Sequence, residues 1–143
     1  MLDYHFAHPG NPEYCRATYH ETTRWLHLTW AGVATTADGH CAAAELLRQL
    51  PATAQVQCLL NDNSQVLGPW FDSLDWLQRL WVPQARRLGL GYVAHVPQPH
   101  TEDDLGLLLR QNLFAGKFEL QFFTTVADAE CWLLECQQVV MSC

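Results

Sequence analysis

The 143 residues are 49% apolar and carry a formal charge of −7, enough for one self-supporting domain, which most often runs to about 100–150 residues. The acidic balance excludes nucleic acid and anionic membrane surfaces as partners: both need clustered Lys and Arg, and Arg24 and the Arg86-Arg87 pair stand isolated. No apolar stretch approaches the ~20 residues of a membrane-spanning helix, and Met1-Leu2-Asp3-Tyr4-His5 lacks the basic and apolar regions of a signal peptide, so a cytoplasmic location is expected.

Residues 1–12 contain Pro9, Gly10 and Pro12 and read as an irregular lead-in. Aromatic and β-branched residues at intervals predict a strand over Tyr14–His20 and a second over Arg24–Ala31. Glu21-Thr22-Thr23 between them is short enough for a hairpin. Thr35-Thr36-Ala37-Asp38 provides an N-cap and a first-turn acid for a helix bearing Ala43, Leu46, Leu47 and Leu50, ended by Pro51. Val56–Leu60 is a short apolar run, the pattern of a central strand buried on both faces. Asn61, Asp62, Asn63 and Ser64 then read as the loop at its carboxyl end, ahead of Gly68-Pro69.

Trp70, Leu74, Leu77, Trp81, Ala85 and Leu88 share one helical stripe, which Pro83 kinks or splits and Gly89 closes. Tyr92–Val96 is a strand, Thr101 starts a helix through Leu113, and Phe118–Phe123 is a strand. Thr125 caps a last helix burying Ala129, Trp132, Leu133 and Cys136. The order predicts a single α/β domain: a mixed, mostly parallel sheet of about five strands, opened by an antiparallel hairpin, with four helices packed against it.

Six cysteines without a CxxC pair read as reduced and mostly buried, and neither a metal nor a cofactor is expected. His5 and His8 have a spacing that binds metal on a helix, but Pro9 and Gly10 place them in a loop. His27 and His95 fall within strands as structural residues. Asp62, Asn63 and Ser64 are the first site candidates, because ligands of open α/β sheets favour the carboxyl ends of strands. Their structural alternative is turn chemistry, short polar side chains bonding their own backbone. Trp70, Trp76, Leu80 and Trp81 are the second set. Trp70 and Trp81 belong to the core stripe, while Trp76 and Leu80 lie toward its edge, where aromatic surface marks contacts.

The order of elements and several local strings resemble the STAS-like (SpoIIAA-like) family of small bacterial domains. The strings are Trp30-Ala31-Gly32, Leu60-Asn61-Asp62, Ala94-His95-Val96, and Phe123-Thr124-Thr125 leading to Ala129-Glu130-Cys131-Trp132-Leu133. The resemblance implies a partner-binding regulator and not a catalyst. Family members that antagonise anti-sigma factors carry a phosphorylated Ser in an Asp-Ser-Ser-Gly string. Here Asn63-Ser64 and Asp72-Ser73 lack the following Gly, so a phospho-switch is not expected. Two binding functions follow as expectations. One is a non-enzymatic module that binds a protein partner, or itself as a homodimer, through Trp70–Trp81 and Asp62–Gly68. The other is a domain with a pocket for a small apolar ligand or lipid under the same helix. An enzyme ranks third, since no nucleophile–base pair is legible.

Overall fold

The structure, a computed structural model, describes residues 1–67, 82–98 and 118–141. Among these, six strands form one sheet in sequence order: β1 (Leu2–His8), β2 (Asn11–His20), β3 (Trp25–Gly32), β4 (Cys58–Val66), β5 (Tyr92–Val96) and β6 (Glu119–Phe122). The first three are antiparallel neighbours, and β3 to β6 run parallel. Three helices accompany them: α1 (Thr36–Gln49), α2 (Val82–Leu88) and α3 (Val126–Met141). The helix expected from Thr101 lies outside the described residues. So do Gly68, Trp70, Trp76, Leu80 and Trp81.

Two expectations are corrected. The sheet has six strands and not five, because residues 2–8 form β1 and no irregular lead-in. Leu2, Tyr4 and Phe6 alternate with the exposed Asp3, His5 and Ala7 and pack against the main core. Pro9 and Gly10 make only the turn between β1 and β2, where Gly10 N–H donates to His8 Nδ1 at 3.1 Å. The second correction is β4. It continues past Leu60 through Val66 and takes Asn61, Asp62, Asn63 and Ser64 into the sheet, where a loop was expected.

The apolar pattern assigns the helices to faces. Leu26, Leu28, Trp30, Leu59 and Val93 share a core with Ala42, Ala43 and Leu46 of α1 and Ala85 and Leu88 of α2. On the other face Cys58, Leu60, Ala94 and Val96 pack under Ala129 and Leu133 of α3. Each fully buried Leu contributes roughly 1.5–3 kcal/mol of transfer free energy. β4 is therefore apolar on both faces up to Leu60, as a strand covered from two sides must be.

Caps and close contacts fix the ends. Thr35 Oγ1 accepts from Asp38 N–H at 3.1 Å and Thr35 N–H donates to Asp38 Oδ2 at 2.8 Å, a reciprocal capping box on α1. Thr125 Oγ1 accepts from Asp128 N–H at 3.2 Å at the start of α3. Gly89 ends α2 at a φ of +78°, and Leu90 N–H reaches back to Ala85 O at 2.9 Å, the left-handed helix ending that glycine favours. Gln137 ties α3 to the sheet. Its Oε1 accepts from Trp25 Nε1 at 2.6 Å, and its Nε2 donates to Thr23 O at 2.7 Å and Gln57 Oε1 at 3.2 Å. The cysteines divide: Cys15 and Cys58 are buried thiols, but Cys41 and Cys131 lie exposed on helices.

Candidate functional site

The carboxyl ends of β3, β4 and β5 hold a group of buried polar side chains on the face that α1 and α2 cover. They are Asn61 and Asn63 of β4 and His95 of β5, each 1% exposed or less, together with the equally buried Trp30 of β3. Asn61 joins them. Trp30 Nε1 donates to Asn61 Oδ1 at 2.7 Å, while Asn61 Nδ2 donates to His95 Nδ1 at 2.9 Å and to Asn63 Oδ1 at 3.3 Å. An indole N–H can only donate, which fixes the Asn61 amide with its oxygen toward Trp30 and its NH2 toward His95. His95 Nδ1 is thus the bare nitrogen, and the ring proton lies on Nε2. Burial pushes the His95 pKa down to about 4: a neutral imidazole is the form this enclosed site accepts. Phe122 of β6 closes the far side with an edge contact to the imidazole at 5.5 Å.

A chain of rings leads from this group to the surface. Trp30 stacks on Tyr14 at 6.3 Å, and Tyr14 on His8 at 5.3 Å. His8 accepts from Gly10 N–H and donates from Nε2 to Val33 O at 3.3 Å. It also lies 3.5 Å from Asp38 Oδ2, so the end of β1 is pinned to the start of α1.

Asp62 and Ser64 take no part in that network. Opposite Trp30 the register slips: Thr29 pairs with Asp62 but Ala31 with Gln65, so β4 carries one extra residue there. The bulge explains these side chains. It leaves a ladder N–H to be satisfied, and Asp62 Oδ1 accepts from Ser64 N–H at 2.9 Å. This is the backbone-bonding role considered for the two residues, moved from a turn into a strand. Among the described residues neither side chain is hydrogen-bonded to a histidine, and no three His, Cys, Asp or Glu groups converge as a metal would require.

His27 lies on the α3 side of the sheet, opposite Leu60 and two register positions before Asp62. Its Nε2 is buried with no hydrogen-bond partner among the described residues. Burial lowers its pKa, against the opposing pull of Asp62 and Glu130, with His20 and Arg16 adding to the lowering. The structural role expected of His27 thus comes without a bonded ring nitrogen, whereas His95 has one.

No family model, curated protein or solved structure matches the chain.

At the other end of the parallel strands a cleft of about 300 Å³ opens between the β2–β3 turn and the α1–β4 connection, lined by Tyr19, Glu21, Arg24, Pro51, Thr53, Ala54 and Gln55. Tyr19 Oη donates to Gln55 O at 3.0 Å. Arg24 holds a φ of +60°, and its carbonyl receives Gln57 N–H at 2.8 Å, so that turn positions the start of β4. The cleft lies away from Asp62, Asn63 and Ser64, at the opposite end of β4, and its lining is largely polar.

Asp62, Asn63 and Ser64 lie within β4 and not in a loop after it, and only Asn63 joins the buried network. The Trp30–Asn61–His95 chain was not expected from the sequence. The available signal was an Asn directly continuing the apolar run Leu59-Leu60, and a His between Ala94 and Val96.

Proposed function

We propose that this chain is a non-enzymatic, STAS-like interaction module that binds a protein partner, or a second copy of itself, at the carboxyl edge of its parallel strands. The observation that carries this reading is apolar exposure at that edge: Val33 is 62% exposed and Leu67 64%. They are held near one another because Leu67 N–H donates to Gly32 O at 2.9 Å. Large apolar side chains held open together mark contact surfaces. The sequence continues directly into Trp70, Phe71, Trp76 and Trp81, residue types favoured at interface centres. Behind the edge, Asn61 has its carbonyl and amide engaged with Trp30, His95 and Asn63. Those bonds tie β3, β4 and β5 together behind the edge.

The test is a photo-cross-linking amino acid placed at Leu67 in the native cell, beside a control at Gln138 on the outer side of α3. A discrete adduct at residue 67 alone is expected. Twice the chain mass identifies a second copy, and any other defined mass a protein partner. Equal labelling at both positions, or none at either, refutes the reading. Trp76→Ala is expected to weaken the adduct.

A further inference from the structure

β1 ends the sheet, and among the described residues no strand lies along its outer side. The backbone N–H and C=O groups of alternate residues in this seven-residue strand, those not directed at β2, thus form an open edge, which proteins commonly blunt with Lys, Pro or a very short strand. Leu2–His8 contains neither Lys nor Pro. Its two rows differ. Leu2, Tyr4 and Phe6 are half-buried on the α1 face, whereas Asp3, His5 and Ala7 are exposed on the other.

We infer that two copies of this chain pair antiparallel along β1, about a two-fold axis at Tyr4, to give a continuous twelve-stranded sheet. Axes at Asp3, Tyr4, His5 and Phe6 keep like faces together over three residues or more; the Phe6 axis leaves Asp3 unpaired and sets His5 against Ala7, and the chemistry chooses between the others. An axis at Asp3 sets Asp3 against Asp3 of the second copy, which is repulsive. An axis at His5 sets imidazole against imidazole and leaves Asp3 opposite Ala7. The axis at Tyr4 sets Tyr4 on Tyr4, Leu2 on Phe6, and Asp3 on His5, the last two pairs occurring twice. Only that register is self-complementary in both rows, as an isologous contact must be.

Neighbours on each chain extend the polar row. Asp3 accepts from Thr18 Oγ1 at 2.8 Å and from Arg16 Nη2 at 3.3 Å, and His5 Nδ1 lies 3.0 Å from Glu13 Oε1. Pairing thus builds an alternating line of Arg16, Asp3, His5 and Glu13 across the axis. The edge is short, so the contact falls among small interfaces, below about 1,200 Å². Association is accordingly weak and concentration-dependent.

This surface is separate from the carboxyl edge of the proposed function, and one set of measurements distinguishes them. In sedimentation equilibrium up to about 500 µM, at salt where charges more than about 8 Å apart are screened, the weight-average mass is expected to rise from 16.3 kDa toward twice that. His5→Asp sets Asp against Asp3 and weakens association by about tenfold or more, while Leu67→Lys leaves it unchanged. With Cys41, Cys131 and Cys143 replaced by Ser, Tyr4→Cys forms a disulfide dimer under mild oxidation, since directly opposed Cα atoms lie about 4.5–5.5 Å apart. Leu2→Cys, opposite Phe6, does not. A constant 16.3 kDa, a dimer indifferent to His5→Asp, or equal cross-linking at residues 2 and 4 overturns the inference. Of these results only a constant monomer mass bears on residue 67, where it removes the second-copy adduct and leaves the protein-partner one.

Discussion

Acidification loads the buried network directly through His95. In the unfolded chain its imidazole titrates near the ordinary 6.5, and in the fold near 4, because burial opposes the charge. Between those values the unfolded state binds a proton that the native state refuses, so stability falls as pH falls. The contribution is fully present above pH 6.5 and is lost on the way down to about 4. At about 1.4 kcal/mol per pH unit, the difference amounts to about 3 kcal/mol. That is a large fraction of the 5–15 kcal/mol that typically holds a domain of this size. His27 contributes in the same direction, so wild type alone does not isolate the effect. His95→Asn does: its amide oxygen accepts from Asn61 where Nδ1 did, and it does not titrate. Urea unfolding followed by tryptophan fluorescence at several pH values between about 7 and 4.5 gives the two stability curves. The variant is less stable at pH 7 for want of the ring volume, and its curve is flatter. Parallel curves for the two proteins across that range refute the assignment of His95 as a buried neutral acceptor.

Gly32→Ala places a Cβ 2.6 Å from Asn11 Nδ2 at a φ of +70° and is expected to cost about 1–3 kcal/mol in urea unfolding. Gln137→Ala removes the acceptor of Trp25 Nε1 and the donor to Thr23 O. It is expected to cost about 1–3 kcal/mol, with faster amide exchange along α3. Thr35→Ala removes one half of the α1 capping box and is expected to cost about 1 kcal/mol, read as a lower thermal midpoint without a change in fold.

Elements whose cause is local were legible in the sequence. Thr35 and Asp38 announced α1, and the structure shows the reciprocal cap they form. Pro51 announced its end, and the alternation in residues 25–30 gave β3 within a residue. β1 was hidden by punctuation: Pro9 and Gly10 belong to the turn after it, and Pro12 falls where β1 and β2 lose register between Phe6 and His8. Leu2, Tyr4 and Phe6 carried the strand signal all the same. β4 failed for a different reason. Asn61-Asp62-Asn63-Ser64 is loop-like in any local window, and its burial depends on Trp30 and His95, 31 and 34 residues from Asn61. A polar run enters a core only when its partners come from other strands.

That dependence bears on where function can lie. A buried amide costs free energy unless its groups are bonded, and Asn61 meets that requirement by linking β3 and β5 across β4. The same bonds occupy the nitrogen of His95 that would otherwise take a proton from a substrate, and the low pKa shows how poorly the enclosed site tolerates the charge. One residue further, the bulge turns Asp62 to its own backbone. Polar side chains at the carboxyl end of an open sheet are a common place for chemistry, but here each bond points inward and makes the end rigid. Among the side chains this end presents outward are two large apolar ones, Val33 and Leu67. A surface fixed from behind loses little conformational entropy when a partner covers it, which is the physical ground of the contact proposed for this edge.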